Sequence, residues 1–324
     1  CHTFQGLLGM DASEEPMMAA MMDMKPDELL KMLEAAGEAA VSPPTIASMR
    51  AEMQAMTQVM QPVPGVQIEM THLGSVDILR ASAKDPNQDQ NLLYFHGGGY
   101  AIGSVQTHKA FVSYLADQTK SVVWSVDYAL APEHAFPAAI DDAIEAYTEL
   151  IQKLSSARKI IIAGDSAGGG LALACALKAK SQNLEQPAGL ILLSPWCDLT
   201  SSGRSHHEMI GRDSVVSPEP LKLLRDAYLN GERQDHPLAS PIFADLSGLP
   251  NMLIQVGSEE MLLSDSILLA EAAGGHQIAV DLEIWPKMPH VFPAYFQFSQ
   301  DARRAVGRIA DWVEKRFSGS ERSQ

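Results

Sequence analysis

Apolar and polar positions change rhythm along the chain. From about Val66 onward, short β-like runs at Ile78-Leu79, Asn91 to Phe95, Ser121 to Val126, Lys159 to Ala163, Gly189 to Leu193, Asn251 to Val256 and Ala279 to Ile284 alternate with stretches of helical spacing. The helical stretches fall near His108–Thr119, Pro137–Leu154, Gly169–Lys180, Ser264–Ala273 and Gln300–Phe317. Strand and helix in alternation predict a mostly parallel, doubly wound α/β sheet with helices on both faces. Ahead of it, Met17 to about Gln61 is rich in Met, Ala and Glu at helical spacing, with Pro43-Pro44 separating two predicted helices. Between Leu193 and Asn251 there is no clear strand, only a helix-like Glu219 to Leu229 set between polar, Pro-containing stretches, which is long for a plain connection. The expected organisation is an N-terminal helical cap segment over residues 1–65, an α/β domain over 66–200 and 241–324, and an insertion over 201–240 that joins the N-terminal helices in covering the sheet.

Composition narrows the classes open to such a chain. With 324 residues, 46% hydrophobic and 20% charged, it has the material for a large core. Its 24 Lys and Arg against 40 Asp and Glu leave a net charge of −16, which argues against nucleic acid as a partner and suits neutral or apolar small molecules. The three cysteines, Cys1, Cys175 and Cys197, are widely spaced and form no Cys-x-x-Cys, so neither a disulfide framework nor a zinc site is expected, and a cytoplasmic location is. No run approaches the roughly 18 apolar residues of a membrane helix, and the Met-rich run Met17 to Met24 lacks the basic flank of a signal peptide. Cys1 reads as a truncation or cloning scar rather than a lipidated residue.

Two segments carry chemistry. Gly164-Asp165-Ser166-Ala167-Gly168 follows the apolar run Lys159 to Ala163 and precedes a helix-compatible Gly169-Gly170-Leu171-Ala172-Leu173-Ala174. This is a Gly-x-Ser-x-Gly elbow in strand–turn–helix context, where small flanking residues let a serine hydroxyl stand clear of a strained turn and the helix amides favour developing negative charge. His96-Gly97-Gly98-Gly99-Tyr100 also begins at the end of a β run, and successive glycines leave amide hydrogens unshielded, able to surround an oxyanion. Each segment alone could be a structural glycine turn; together they point to acyl-transfer chemistry.

With these residues in hand the chain resembles the hormone-sensitive-lipase-like group of α/β-hydrolases. The resemblance covers roughly residues 90–317 and rests on the His-Gly-Gly-Gly segment, Asp127-Tyr128-Ala129-Leu130-Ala131-Pro132-Glu133-His134, Phe136-Pro137-Ala138-Ala139-Ile140-Asp141-Asp142 and the Gly-Asp-Ser-Ala-Gly elbow. It implies an α/β-hydrolase fold with a helical cap, a carboxylic ester hydrolase with no metal and no cofactor, and oxyanion donors at Gly98, Gly99 and Ala167. The partner it implies is a small-molecule ester, with no nucleic acid and no integral membrane, and it leaves homo-oligomerisation open.

A serine hydroxyl is a weak nucleophile near neutral pH, so a base must take its proton and a third group must orient that base. Of the ten histidines, His290 alone lies in a loop after the last predicted strand and before the C-terminal helix, where the serine–acid–histidine order puts the base. His96 is expected to hold the shape of the glycine loop, His134 to be structural, and His206 and His207 to face solvent or pack in the cap. The acid departs from the family's usual Asp-Pro-Leu: the chain has Gly257-Ser258-Glu259-Glu260-Met261-Leu262, and matching Leu262 to the family leucine puts Glu260 on the acid. Glu259, Asp265 and Asp198 stay as alternatives, with Asp198 read first as a loop-shaping carboxylate. The expectation is therefore a serine carboxylesterase of short- to medium-chain esters working through Ser166, His290 and Glu260, with some of Met17, Met18, Met21, Met22, Met24, Met32, Met49, Met53, Met56 and Met60 lining an adaptable acyl pocket and the rest packing as helix core. Amide or carbamate hydrolysis by the same machinery is the alternative within enzymes. A non-catalytic ligand-binding protein or an interaction protein is the alternative outside them, and retention of both Ser166 and His290 speaks against it.

Overall fold

In the computed structural model residues 24–37, 43–56 and 60–319 are described; Cys1 and Met17 to Met22 lie outside them. The strands are β1 Gln67–Leu73, β2 Val76–Ser82, β3 Asn91–Phe95, β4 Val122–Val126, β5 Ile160–Asp165, β6 Gly189–Leu193, β7 Met252–Gly257 and β8 Val280–Trp285. The helices are α1 Pro26–Gly37, α2 Ile46–Met56, α3 Lys109–Thr119, α4 Ala138–Leu154, α5 Ala167–Ser181, α6 Ser205–Glu208, α7 Pro218–Leu229, α8 Leu263–Gly275 and α9 Gln300–Gly319. Strand β1 was absent from the predicted set, and β2 is longer than its predicted Ile78-Leu79 core; the other strands fall within about a residue or two of expectation.

All eight strands form one sheet in the order β1-β2-β4-β3-β5-β6-β7-β8. The pairs from β4 through β8 are parallel, and β1 and β2 join by antiparallel pairing. Strands β3 to β7 are buried along their whole length, as expected of parallel strands covered on both faces. Their side chains divide with period two. Leu93, Phe95, Ile160, Ile162, Leu190, Leu192 and Ile254 join α4, α5 and α8 on one face, while Leu92, Tyr94, Ile161, Ala163, Ile191, Leu193 and Leu253 join α3 and α9 on the other.

Two segments lie on the side where the strands end. Helix α2 begins with a reciprocal pair, the Thr45 amide to Ser48 Oγ (3.0 Å) and the Ser48 amide to Thr45 Oγ1 (3.1 Å), which satisfies amides with no intrahelical acceptor. Arg50 fixes that helix: Nε donates to the Ala101 carbonyl (2.8 Å), one Nη to the Ala131 carbonyl (2.9 Å), and both Nη atoms reach Glu133 (2.8 and 2.7 Å). Helix α7 opens with Pro218 and ends at Asn230 in the left-handed region (φ 46°). It buries Leu221, Leu224 and Tyr228, one face at helical spacing, and Tyr228 stacks on Tyr100 at 3.9 Å and 8°. Among the described residues no helix is long and apolar enough to cross a membrane.

Candidate active site

Winding of the sheet changes direction between β3 and β5, and in such sheets the crevice at the carboxyl ends of those two strands is where ligands bind. Phe95 pairs with Gly164, so the His96–Gly99 loop and the Gly164–Gly168 turn leave the sheet side by side. Ser166 sits between β5 and α5 with φ 53° and ψ −121°, a strained conformation for a residue with a side chain. It is held there by its amide on the Leu193 carbonyl and its own carbonyl under the Trp196 amide, both 2.8 Å. A Cβ on Gly168 would run into the Phe95 carbonyl oxygen, so glycine there lets α5 start this close to β3.

Gly98 and Gly99 line the same cavity as Ser166, and their amides make no backbone hydrogen bond among the described residues. Gly98 has φ +118°, and a Cβ on it would strike the Ile102 carbonyl. Ala167 is the first residue of α5, where an amide has no intrahelical acceptor. The loop's shape comes from beneath. His96 is buried, stacked on Tyr128 (4.3 Å, 16°), with Nδ1 2.8 Å from the Gly97 carbonyl. Burial, and then the neighbouring His108, push it down to about 3, so its ring is neutral and structural, as expected. His134, by contrast, is exposed.

Asp165, to which the sequence reading gave no role of its own, ties the two loops together. Its Oδ1 accepts from Tyr94 Oη (2.5 Å) and from the Gly97 amide (2.9 Å), and its Oδ2 lies 3.4 Å from His108 Nε2. Burial would raise this carboxyl, but His108 and Tyr94 outweigh it and hold it below its ordinary value. A carboxylate beside the elbow serine thus fastens the glycine loop to the strand end.

His290 follows β8 and lines the cavity with Ser166. Its Nδ1 lies 2.7 Å from Glu260 Oε2. An ionised carboxylate only accepts, so Nδ1 carries the hydrogen and Nε2 keeps its lone pair. Glu260 is fully buried, and its Oε1 accepts from Ser194 Oγ (2.8 Å) and the Gly257 amide (2.5 Å). Burial raises the Glu260 carboxyl against the lowering by His290 and, after it, by the Gly257 and Ser194 donors. Burial likewise opposes a charge on His290, but the Glu260 carboxylate and its hydrogen bond lift His290 above its ordinary value. Ser194 also accepts from the Val291 amide (3.1 Å), so one hydroxyl at the end of β6 braces both the loop carrying Glu260 and the loop carrying His290. No local pattern marks that serine; only the three-dimensional meeting of three strand ends reveals it.

The alternative acids have other partners. Glu259 pairs with Arg212 (2.8 Å) and meets Ser258 Oγ. Asp265 is buried against His206 Nε2 (2.7 Å) and accepts the amides of Cys197 and Asp198. Asp198 accepts the amides and hydroxyls of Thr200 and Ser202, the loop-shaping role expected of it. His206 is therefore packed inside, and His207 is exposed.

The cavity holds about 260 Å³. Its walls are Met49, Met53 and Met60 from the N-terminal segment, Val215, Val216, Leu221 and Leu224 from the insertion, and Ile102, Phe111 and Trp196 from the α/β body. Met32 is not on the wall but packs with Leu29 against Met24 and Tyr295, the last of which lines the cavity, and the Met56 side chain lies outside the described residues.

A doubly wound sheet with a nucleophile-type elbow at its switch point defines an α/β hydrolase, and a family model for the alpha/beta hydrolase fold matches residues 92–294. The chain belongs to that family, within its hormone-sensitive-lipase group, and it is a carboxylic ester hydrolase. It is similar to a hormone-sensitive lipase from a metagenome library, with 45% identity over 91% of this chain and 99% of that one at a TM-score of 0.89. An acetyl-hydrolase of Streptomyces hygroscopicus is 38% identical over 243 residues, 75% of this chain and 80% of the relative. An esterase of Acinetobacter venetianus is 38% identical over 253 residues, 77% and 82% of the two chains.

Proposed function

We propose that the chain is a serine carboxylesterase of short- to medium-chain esters, with Ser166 as nucleophile, His290 as base and Glu260 as the acid that orients it. The observation that carries this reading is the buried His290 Nδ1 to Glu260 Oε2 bond on the cavity that Ser166 lines. His290 Nε2 takes the hydroxyl proton as Ser166 Oγ attacks the ester carbonyl, and the amides of Gly98, Gly99 and Ala167 receive the oxyanion. His290 then returns the proton to the departing alkoxide, leaving an acyl-serine. Water, deprotonated by the same nitrogen, releases the carboxylic acid and restores the hydroxyl. Glu260 stays ionised throughout and steadies the imidazolium.

The N-terminal segment within 1–65 and the insertion 201–240 act together as the cap. Met49 and Met53 from one and Leu221 and Leu224 from the other face one cavity, which supports that division. So small an apolar enclosure suits acyl groups of roughly two to eight carbons better than long-chain triglyceride. The buried thiols of Cys175 and Cys197 suit a reducing compartment, and the proposal places the enzyme in the cytoplasm.

A panel of p-nitrophenyl esters of rising acyl length, run with and without a serine-reactive phosphonate, tests the reading. Ser166→Ala is expected to fold and to lose at least about 10³-fold in activity, as removal of a triad nucleophile does. Activity within tenfold of the parent, with contaminating esterase excluded, would sink the mechanism.

A further inference from the structure

The insertion touches the acid loop at two neighbouring points, one on each side of Glu260. Arg212 pairs with Glu259 at 2.8 Å, and Asp213 Oδ2 accepts the Met261 amide at 2.7 Å. The second contact is the structured one. While Oδ2 holds Met261, the other oxygen of the same carboxylate, Oδ1, accepts the amides of Val215 and Val216, both at 2.9 Å. Val215, Val216 and Ser217 lie on the cavity wall, immediately before α7. Three backbone donors from two distant segments thus converge on one half-buried side chain.

We propose that Asp213 is a positioning residue that locks the cavity wall at Val215 and Val216 to the loop carrying Glu260, so that the wall and the His290–Glu260 pair move as one. The proposal rests on the assignment of Glu260 and His290 made above. An aspartate is required because both oxygens must accept. Asparagine offers one acceptor and turns an NH2 toward the other set of N–H groups, so one side of the clamp must open. The carboxylate also acts through space. The charged and titratable groups around His290 are Glu260 on the β7–α8 loop, Asp213 on the insertion, Asp165 at the end of β5 and Tyr295 on the segment after His290, with the Arg212–Glu259 pair beyond. Burial lowers His290, and Glu260, then Asp213 and Asp165, raise it.

Asp213→Asn, measured as kcat and KM for p-nitrophenyl acetate and butyrate across pH, tests the role. A displaced acid loop should lower kcat by about 10- to 100-fold, the scale of a small misplacement of catalytic groups. Loss of the negative charge should also move the acidic limb of kcat/KM to lower pH, because a His290 with less anionic surroundings gives up its proton sooner. A merely structural residue would not move that limb. A folded Asp213→Asn enzyme with the parent's kcat and the parent's acidic limb overturns the proposal. The parent enzyme supplies a second measurement that does not depend on the variant's folding: hydrogen exchange with and without a phosphonate on Ser166. The Val215, Val216 and Met261 amides should gain protection together, and independent responses of the two segments overturn the clamp. Glu260→Gln run alongside keeps the two readings apart. An active Glu260→Gln refutes the acid assignment, whereas an inactive one beside a parent-like Asp213→Asn refutes the clamp alone.

Discussion

Glu259 and Glu260 are chain neighbours with opposite surroundings. One faces Arg212 at the surface of the insertion, the other is buried against His290, Ser194 and Gly257. Glu260→Gln keeps the shape but can turn an NH2 toward His290 and favour the wrong tautomer, and kcat should fall by about 10⁴-fold, the cost of the corresponding Asp→Asn change in a well-studied triad. Glu259→Gln removes an ion pair half open to solvent, a contact worth about 1 kcal/mol or less, and should leave kcat near the parent value. The reverse ranking in steady-state kinetics would show that the acid has been misassigned. Both glutamates could be named from the chain, where matching Leu262 to the family leucine favours Glu260 and leaves Glu259, Asp265 and Asp198 as alternatives. The roles of Ser194, Asp165 and Asp213 were not legible, because each acts on residues far away in sequence: Asp165 stands inside the elbow motif, but its partners Tyr94, Gly97 and His108 lie well before it in the chain.

At the scale of elements, most of the sheet could be read directly, since strands buried on both faces are continuous apolar runs. Strand β1 escaped notice for the opposite reason. It is an edge strand with mostly exposed or half-exposed positions, and Met70 lies 53% open to solvent, so Gln67-Ile68-Glu69-Met70-Thr71-His72 shows little apolar contrast. Helix α2 was visible as a periodic segment of the expected cap, but the way it is held was not, because the guanidinium that docks it reaches carbonyls of Ala101 and Ala131 on the body of the enzyme. Arg50→Ala should loosen the methionine wall without touching the nucleophile. The expected outcome is a KM for p-nitrophenyl hexanoate that rises more than the KM for the acetate. Equal changes for the two esters would separate α2 from the acyl site.

For the molecule as a whole, the proposed triad makes the buried Glu260 carboxylate set the pH at which the enzyme works. His290 must be neutral to accept a proton, and Glu260 together with Asp213 and Asp165 holds it above its ordinary value of 6.5 in spite of burial. Activity should therefore be lost as pH falls through a midpoint above 6.5, rather than at or below it. A pH profile of kcat/KM for p-nitrophenyl acetate reads that midpoint directly. The net charge of −16 works in the same direction on substrate choice, since an acidic surface discourages anionic esters and leaves neutral ones free to enter.

The wall formed by Met49, Met53 and Met60 has a further consequence, this one for the enzyme's lifetime in air. Thioethers beside an open cavity are within reach of peroxide, and on the proposed reading each sulfoxide formed puts a polar S=O where the acyl chain lies. Dilute hydrogen peroxide should thus erode hydrolysis of hexanoate before that of acetate, and a methionine sulfoxide reductase should restore it. The methionine wall proposed to receive the acyl chain would in this sense also be the part of the enzyme that ages first.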